Sequence, residues 1–289
     1  MAIAIAGRFG NPVGITTVAG NVGLSLTTAN ALTVCEVFGL DLPVHAGADR
    51  SLLGPAPDAA HIHGRTGLDG PDHPAHDRVP ASDDAVGYIV ETVREHPGTW
   101  LVPVGPMTNV ALALRAAPDL VEHLGGISFM GGARTEGNVT PAAEFNFWAD
   151  PEAAGEVLAC GHPDIRMAGL QLTDQVRVDD AYLDRLAAIG TGRARWTRDL
   201  LGALLDNVER ESGRRWSALH DPVAVMALVR PDLVVSERRP VRVDVSQGPE
   251  RARSAVGAPG SNDGRIISVG MQAEGGTILD LLVEVLEDD

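Results

Sequence analysis

Apolar and polar positions change period repeatedly along this chain, and each change marks an element. Val13 to Ala19 (VGITTVA) is an unbroken apolar and β-branched run, a buried strand closed by Gly20-Asn21. From Leu24 to Phe38 apolar residues recur at helical spacing, and Pro43 to Ala46 is again a short strand. Asp83 to Glu95 predicts an amphipathic helix with an acidic start, and Trp100 to Val104 a strand ending at Gly105-Pro106. Thr108 to Ala116 predicts a helix, and Gly126 to Met130 a strand closed by Gly131-Gly132. Pro151 to Leu158 reads as a helix with proline in its first turn, where its missing N–H costs nothing, and Ile165 to Leu170 as another strand. The alternation predicts an α/β fold, a single domain on a mainly parallel central sheet flanked by helices.

The second half is less regular. Asp179 to Asn207 predicts two helices around Gly190 and Gly192, and Pro222 to Val229 a buried helix. Val241 to Val245 and Ile266 to Val269 read as strands separated by a polar excursion from Gln247 to Gly264, and Ile278 to Leu286 as a closing helix. No repeat or linker divides the chain.

Composition narrows the class. Twenty-three basic residues against 39 acidic ones give a formal charge of -16, so no basic stripe exists to displace the counterions of a nucleic acid. Cys35 and Cys160 lie in apolar helical contexts and are expected reduced, as in the cytoplasm. No run reaches the ~18 apolar residues of a membrane span, and Met1 to Gly7 lacks the basic flank of a signal peptide.

In open α/β sheets ligands bind beyond the carboxyl ends of the strands, so the polar residues there carry the chemistry. Asn21 follows the first strand, His61-Ile62-His63-Gly64 and the loop to Gly70 follow the second, and Val104-Gly105-Pro106 the next. Each has a bland reading beside the functional one. Asn21 reads equally as a turn residue tolerating positive φ, either histidine as a satisfied loop residue, and Asp221 before Pro222 as a helix cap. Gly131-Gly132 has neither a following P-loop lysine nor a G-x-G-x-x-G pattern, which disfavours a nucleotide-phosphate site. The segment from Gly137 to Asn146 (GNVTPAAEFN) is the strongest signal. Asn138, Glu144 and Asn146 combine neutral amides with one carboxylate, which suits the paired donors and acceptors of a polyhydroxylated, uncharged ligand.

Six ordered stretches resemble the inosine-uridine preferring nucleoside hydrolases: GITTVAGNV from Gly14, HGRTGLDG from His63, VPVGPMTNVALAL from Val102, FMGG from Phe129, GNVTPAAEFNFWADPEAA from Gly137 and HDPVAV from His220. The resemblance implies a Rossmann-like nucleoside hydrolase fold and cleavage of a ribonucleoside's N-glycosidic bond by a water held on Ca²⁺. It implies Asp221 as a side-chain calcium ligand and Val104 as a main-chain one. Asn21, Asn138, Glu144 and Asn146 would hold the ribose hydroxyls, with Phe145 beside the sugar. His220, and more weakly His63, would stand near the departing base, where a proton is needed. It further implies a cytoplasmic salvage enzyme, a homodimer or homotetramer, without nucleic-acid or membrane partners. Arg214, Arg215 and Trp216 are candidate base contacts, although Trp216 reads better as cover for an apolar helix face.

The departure from the family pattern is at the start. The resemblance implies an N-terminal strand and an Asp-rich turn, D-x-D-P-G-x-D-D-A, ahead of an apolar helix, and residues 1–289 begin at that helix, with Met1 to Ala6. The expectation is thus one nucleoside hydrolase domain lacking its first strand and turn. Two explanations compete: a recorded start downstream of the true one, or an inactive truncated homologue. Retention of Asn21, Glu144, Asn146 and Asp221 favours the former. A reading from another class, a nucleoside- or ribose-binding protein without hydrolysis, predicts sugar binding that survives chelation.

Overall fold

The strand Gly126–Met130 is buried at all five positions, as an apolar run covered by helices on both faces must be. It lies next to one edge of a six-stranded sheet in a computed structural model that describes residues 1–55 and 58–287. The order across the sheet is Ser254–Val256, Val234–Val243, Arg265–Ala273, Ile165–Ala168, Gly126–Met130, Trp100–Leu101. The last four run parallel to one another. Val234–Val243 is antiparallel to both of its neighbours, so the sheet is mixed rather than mainly parallel in its second half. The strand Val234–Val243 extends well before the predicted Val241 because Val235 to Arg238 lie exposed along it and the charged run Glu237 to Arg239 hides the strand period.

Helices close both faces. One core gathers Ile5, Leu205, Met226 and Leu282 from the helices Ala2–Phe9, Gly192–Ser212, His220–Val229 and Gly275–Leu286. The other gathers Val93, Leu120 and Val157 against Ile127, Phe129 and Ile165 of the sheet. Among the described residues no helix is long and apolar enough to cross a membrane, and both cysteines are free.

Ile15–Thr17 pairs in parallel with Val44–Ala46 as a separate two-stranded sheet. Among the described residues no strand pairing joins it to the larger sheet. A side chain makes the link instead: Asn109 Nδ2 donates to the Thr17 carbonyl at 2.8 Å, and its Oδ1 accepts from Ala48 N at 2.9 Å. A Cβ on Gly47 would stand 2.3 Å from Asn109 Oδ1, so glycine is required at that approach.

Two strand ends depart from the sequence reading in ways that shape the site. The predicted strand Trp100 to Val104 pairs only at Trp100–Leu101. Pro103 has no N–H to give a ladder, and its carbonyl takes Met130 N at 3.0 Å as the chain turns away. The strand beginning at Ile165 stops at Ala168, and Gly169 leads into a single helical turn, Leu170–Thr173.

Candidate active site

Glu144 anchors the loop that follows Gly126–Met130. It is the N-cap of the helix Phe145–Ala149, accepting from Asn146 N at 2.9 Å and Phe147 N at 3.2 Å. Its Oε2 also accepts from Gly132 N at 2.8 Å. The side chain is 2% exposed, and burial pushes its carboxyl up to about 7 although the Asn146, Gly132 and Phe147 amides pull the other way. Glu144 therefore has a structural duty that the sequence did not reveal: Oε2 takes two amides, while Oε1 takes one and retains lone-pair capacity for a ligand hydroxyl.

Asn146 is pinned beside it. Its Nδ2 donates to Met130 O at 3.1 Å and to Val104 O at 3.3 Å, which leaves Oδ1 without a protein partner among the described residues. Asn138 Oδ1 accepts from Phe145 N at 2.9 Å, and its Nδ2 has no partner among them either. Phe145 is half-buried, with its ring 6.2 Å from that of Trp148. The two strand ends are thus stitched together: the freed carbonyl of Val104 faces the amide of Asn146 across the sheet edge.

Asp221 and His220 come from the first turn of the helix His220–Val229, which packs on Gly126–Met130 and Ile165–Ala168. No side-chain cap bond forms at this helix start, so Asp221 is not serving as a cap. Its carboxyl is pushed up to about 6 by burial, partly offset by the Met1 amino group, and its charge reaches Glu144. His220 Nδ1 lies 2.7 Å from Thr173 Oγ1, and its Nε2 has no protein partner among the described residues. Burial, then the Arg214 charge, lowers His220 to about 4.

His63 ends the turn Ala60–His63 and is lowered to about 4 by burial and by His220 and His61, which places it within the electrostatic reach of His220. Asn21 joins the same neighbourhood through its carbonyl, which accepts from Ala59 N at 3.0 Å. Among the described residues the only non-glycine residue at positive φ is Ala252, so the turn reading of Asn21 does not hold, and its side chain has no protein partner. Asp69 shapes the histidine loop by accepting from the Thr66 hydroxyl, Thr66 N at 3.1 Å and Arg65 N at 3.0 Å. A cavity of about 110 Å³ lies between this loop and the helix Gly192–Ser212, lined by His63, Asp69, Leu204 and Asn207 among others.

The candidate base contacts divide. Arg215 is held by Asp180, Asp206 and Glu209. Trp216 carries the Arg177 and Arg214 guanidinium groups at 3.9 Å and 4.6 Å from its ring centre, on a strand that packs against the helix Gly192–Ser212. Sequence reasoning missed Thr173, which touches His220, and Met130, whose carbonyl orients Asn146. The carboxyl-edge rule, applied to the strand Ile165–Ala168 as to the others, points to the turn that holds Thr173. The larger cavity, about 490 Å³, lies away from these residues, around Asp164, Arg166 and Arg238 at the amino end of that strand.

Among the described residues no group of three or more His, Cys, Asp or Glu side chains is placed to hold a metal ion. Calcium takes six to eight oxygens, and Asp221 with the Val104 carbonyl would supply only two. The described residues do not complete such a site.

The family model described as inosine-uridine preferring nucleoside hydrolase matches residues 1–274. A pyrimidine-specific ribonucleoside hydrolase, RihB, of Escherichia coli O17:K52:H18 is 38% identical over 253 residues, 86% of this chain and 80% of the relative. A plant nucleoside hydrolase, the PpNRh1 enzyme, superposes with a TM-score of 0.90 at 28% identity, covering 100% of this chain and 95% of that one. A purine-preferring ribonucleoside hydrolase from Gardnerella vaginalis gives a TM-score of 0.90 at 27% identity, covering 99% and 93%.

Proposed function

We infer function from one premise: the chain belongs to the inosine-uridine preferring nucleoside hydrolase family. It is a hydrolase of nucleosides, and its reaction is cleavage of the N-glycosidic bond of ribonucleosides to ribose and free base. The observation that carries this for the present residues is the set of unpaired polar atoms beyond the strand ends. Asn146 Oδ1 and Asn138 Nδ2 have no protein partner among the described residues and lie on the loop that Glu144 anchors, and the Asn21 side chain, beyond a strand of the smaller sheet, has none either. Amide groups held in fixed orientation suit ribose hydroxyls, each of which both donates and accepts.

The glycosidic transition state is oxocarbenium-like, so contacts to the sugar hydroxyls that tighten as charge develops lower the barrier. In this reading Asn21, Asn138, Glu144 and Asn146 hold those hydroxyls, and Phe145 packs beside the sugar. His220 presents its free Nε2 to the departing base, with His63 in the same neighbourhood. Asp221 and the Val104 carbonyl are the proposed contribution to a calcium ion. We further assign the protein to ribonucleoside salvage in the cytosol, as a homodimer or homotetramer.

The test is release of reducing sugar from uridine and inosine by the purified protein. Asp221→Ala is expected to abolish it, and His220→Ala to lower mainly kcat. Small, equal effects of both substitutions overturn the assignment of the site. Saturable ribose binding without any base release by the unsubstituted protein moves the reading to a binding protein.

A further inference from the structure

The turn Leu170–Thr173 carries a contact that the sugar-binding groups do not use. Thr173 has no exposed surface, and its hydroxyl lies between two partners, His220 Nδ1 at 2.7 Å and the Leu170 carbonyl at 3.4 Å. A hydroxyl has one proton and a carbonyl can only accept. With that proton directed to Leu170, the hydroxyl oxygen accepts from Nδ1–H, giving the chain Nδ1–H to Oγ, Oγ–H to carbonyl. In this arrangement the hydrogen sits on Nδ1 and the Nε2 lone pair is left free. The other nitrogen is the one available: no described residue bonds to Nε2. The helix His220–Val229 packs on this turn, so the ring and the hydroxyl are held on adjoining rigid elements.

We propose that Thr173 is a positioning residue for His220, fixing the ring's rotamer and its Nδ1–H tautomer so that proton exchange with the departing base takes place at Nε2. This rests on the reading above that His220 faces the base. The step balances. The bond from C1′ to the base nitrogen breaks with its electron pair going to the base. Nε2 takes a proton from solvent and passes it to the base, water adds its oxygen to C1′, and that water's proton is released to solvent. Ribonucleoside and water become ribose and base.

The experiment compares Thr173→Val, which keeps the branched shape and removes the hydroxyl, with Thr173→Ser, which restores it. With uridine and inosine, Thr173→Val is expected to lower kcat by about 10- to 100-fold at unchanged KM, the usual scale for losing a group that orients a functional histidine. Thr173→Ser is expected to recover most of the rate. A p-nitrophenyl riboside, whose leaving group departs as a stable phenolate without needing a proton, is expected to react at nearly the unsubstituted rate in all three proteins. Independently of turnover, the ¹⁵N signals of the His220 ring report an Nδ1–H tautomer in the unsubstituted protein and a change of tautomer in Thr173→Val. Equal losses on both kinds of substrate mean a merely structural role and overturn the proposal, as does an Nε2–H tautomer before substitution. If the unsubstituted protein cleaves no riboside at all, the hydrolase reading fails, while the ring signals still decide whether Thr173 sets the tautomer.

Discussion

Replacing Glu144 by glutamine removes a buried charge while keeping the side chain's shape. Its carboxyl is raised from an ordinary 4.5 to about 7, with burial as the largest cause. The folded protein thus holds this proton more tightly than the unfolded chain does. The resulting stability is fully present below pH about 4.5 and is lost as pH rises through about 7. At about 1.4 kcal/mol for each tenfold change in proton affinity, the loss comes to about 3 kcal/mol. Glutamine has no such dependence, but it carries a different cost. One of its two oxygen positions becomes an NH₂ group facing a backbone N–H, either Asn146 on one side or Gly132 and Phe147 on the other. An unsatisfied buried donor of this kind costs about 1–3 kcal/mol at every pH. Glu144→Gln is therefore expected to be less stable than the unsubstituted protein near pH 4.5, and to recover about 3 kcal/mol relative to it by pH 8. Urea unfolding of both proteins across this range, with chelator present, measures the difference directly. A difference that stays flat with pH refutes the view that burial, and not the three amides, dominates at this carboxylate.

Two further substitutions test the frame around the site. Phe147 is fully buried with its ring 5.9 Å from that of Phe129, so Phe147→Ala is expected to cost about 3–5 kcal/mol, read as a fall in the urea midpoint; a loss under about 1 kcal/mol contradicts the packing. Gly132 sits at φ +72°, and a Cβ there would stand 2.7 Å from Met167 Cε and 2.8 Å from Ser254 Oγ. Gly132→Ala is expected to lose about 1–3 kcal/mol through the strained backbone, and to lower sugar release by displacing the N–H that Glu144 accepts; full activity at unchanged stability contradicts this.

Much of the fold is legible from local pattern. The helix Thr108–Ala116 and the strand Gly126–Met130 match their predicted limits, because each is a strongly periodic or wholly apolar run bounded by glycine or proline. Val234–Val243 was less legible, since a charged strand exposed at half of its positions shows neither alternation nor a continuous apolar run. Within the site, the residue types in the segment from Asn138 to Asn146 announced a polar binding surface, and adjacency in sequence was enough to group them. Their individual duties were not legible there. That Glu144 caps a helix while receiving the amide of Gly132, and that Asn146 spans to the carbonyl of Val104, depends on how three separate segments meet.

Thr173 shows where the boundary falls. It and His220 stand 47 positions apart, in a stretch whose local pattern predicts only the end of a strand and the start of a helix. Hydrophobic period and turn residues decide which segments form elements, because those preferences act over a few residues. Sheet order and helix packing decide which carboxyl ends lie together, because they are set by long-range burial to which every element contributes. A polar group's partner, and therefore its proton and its free lone pair, belongs to that second level.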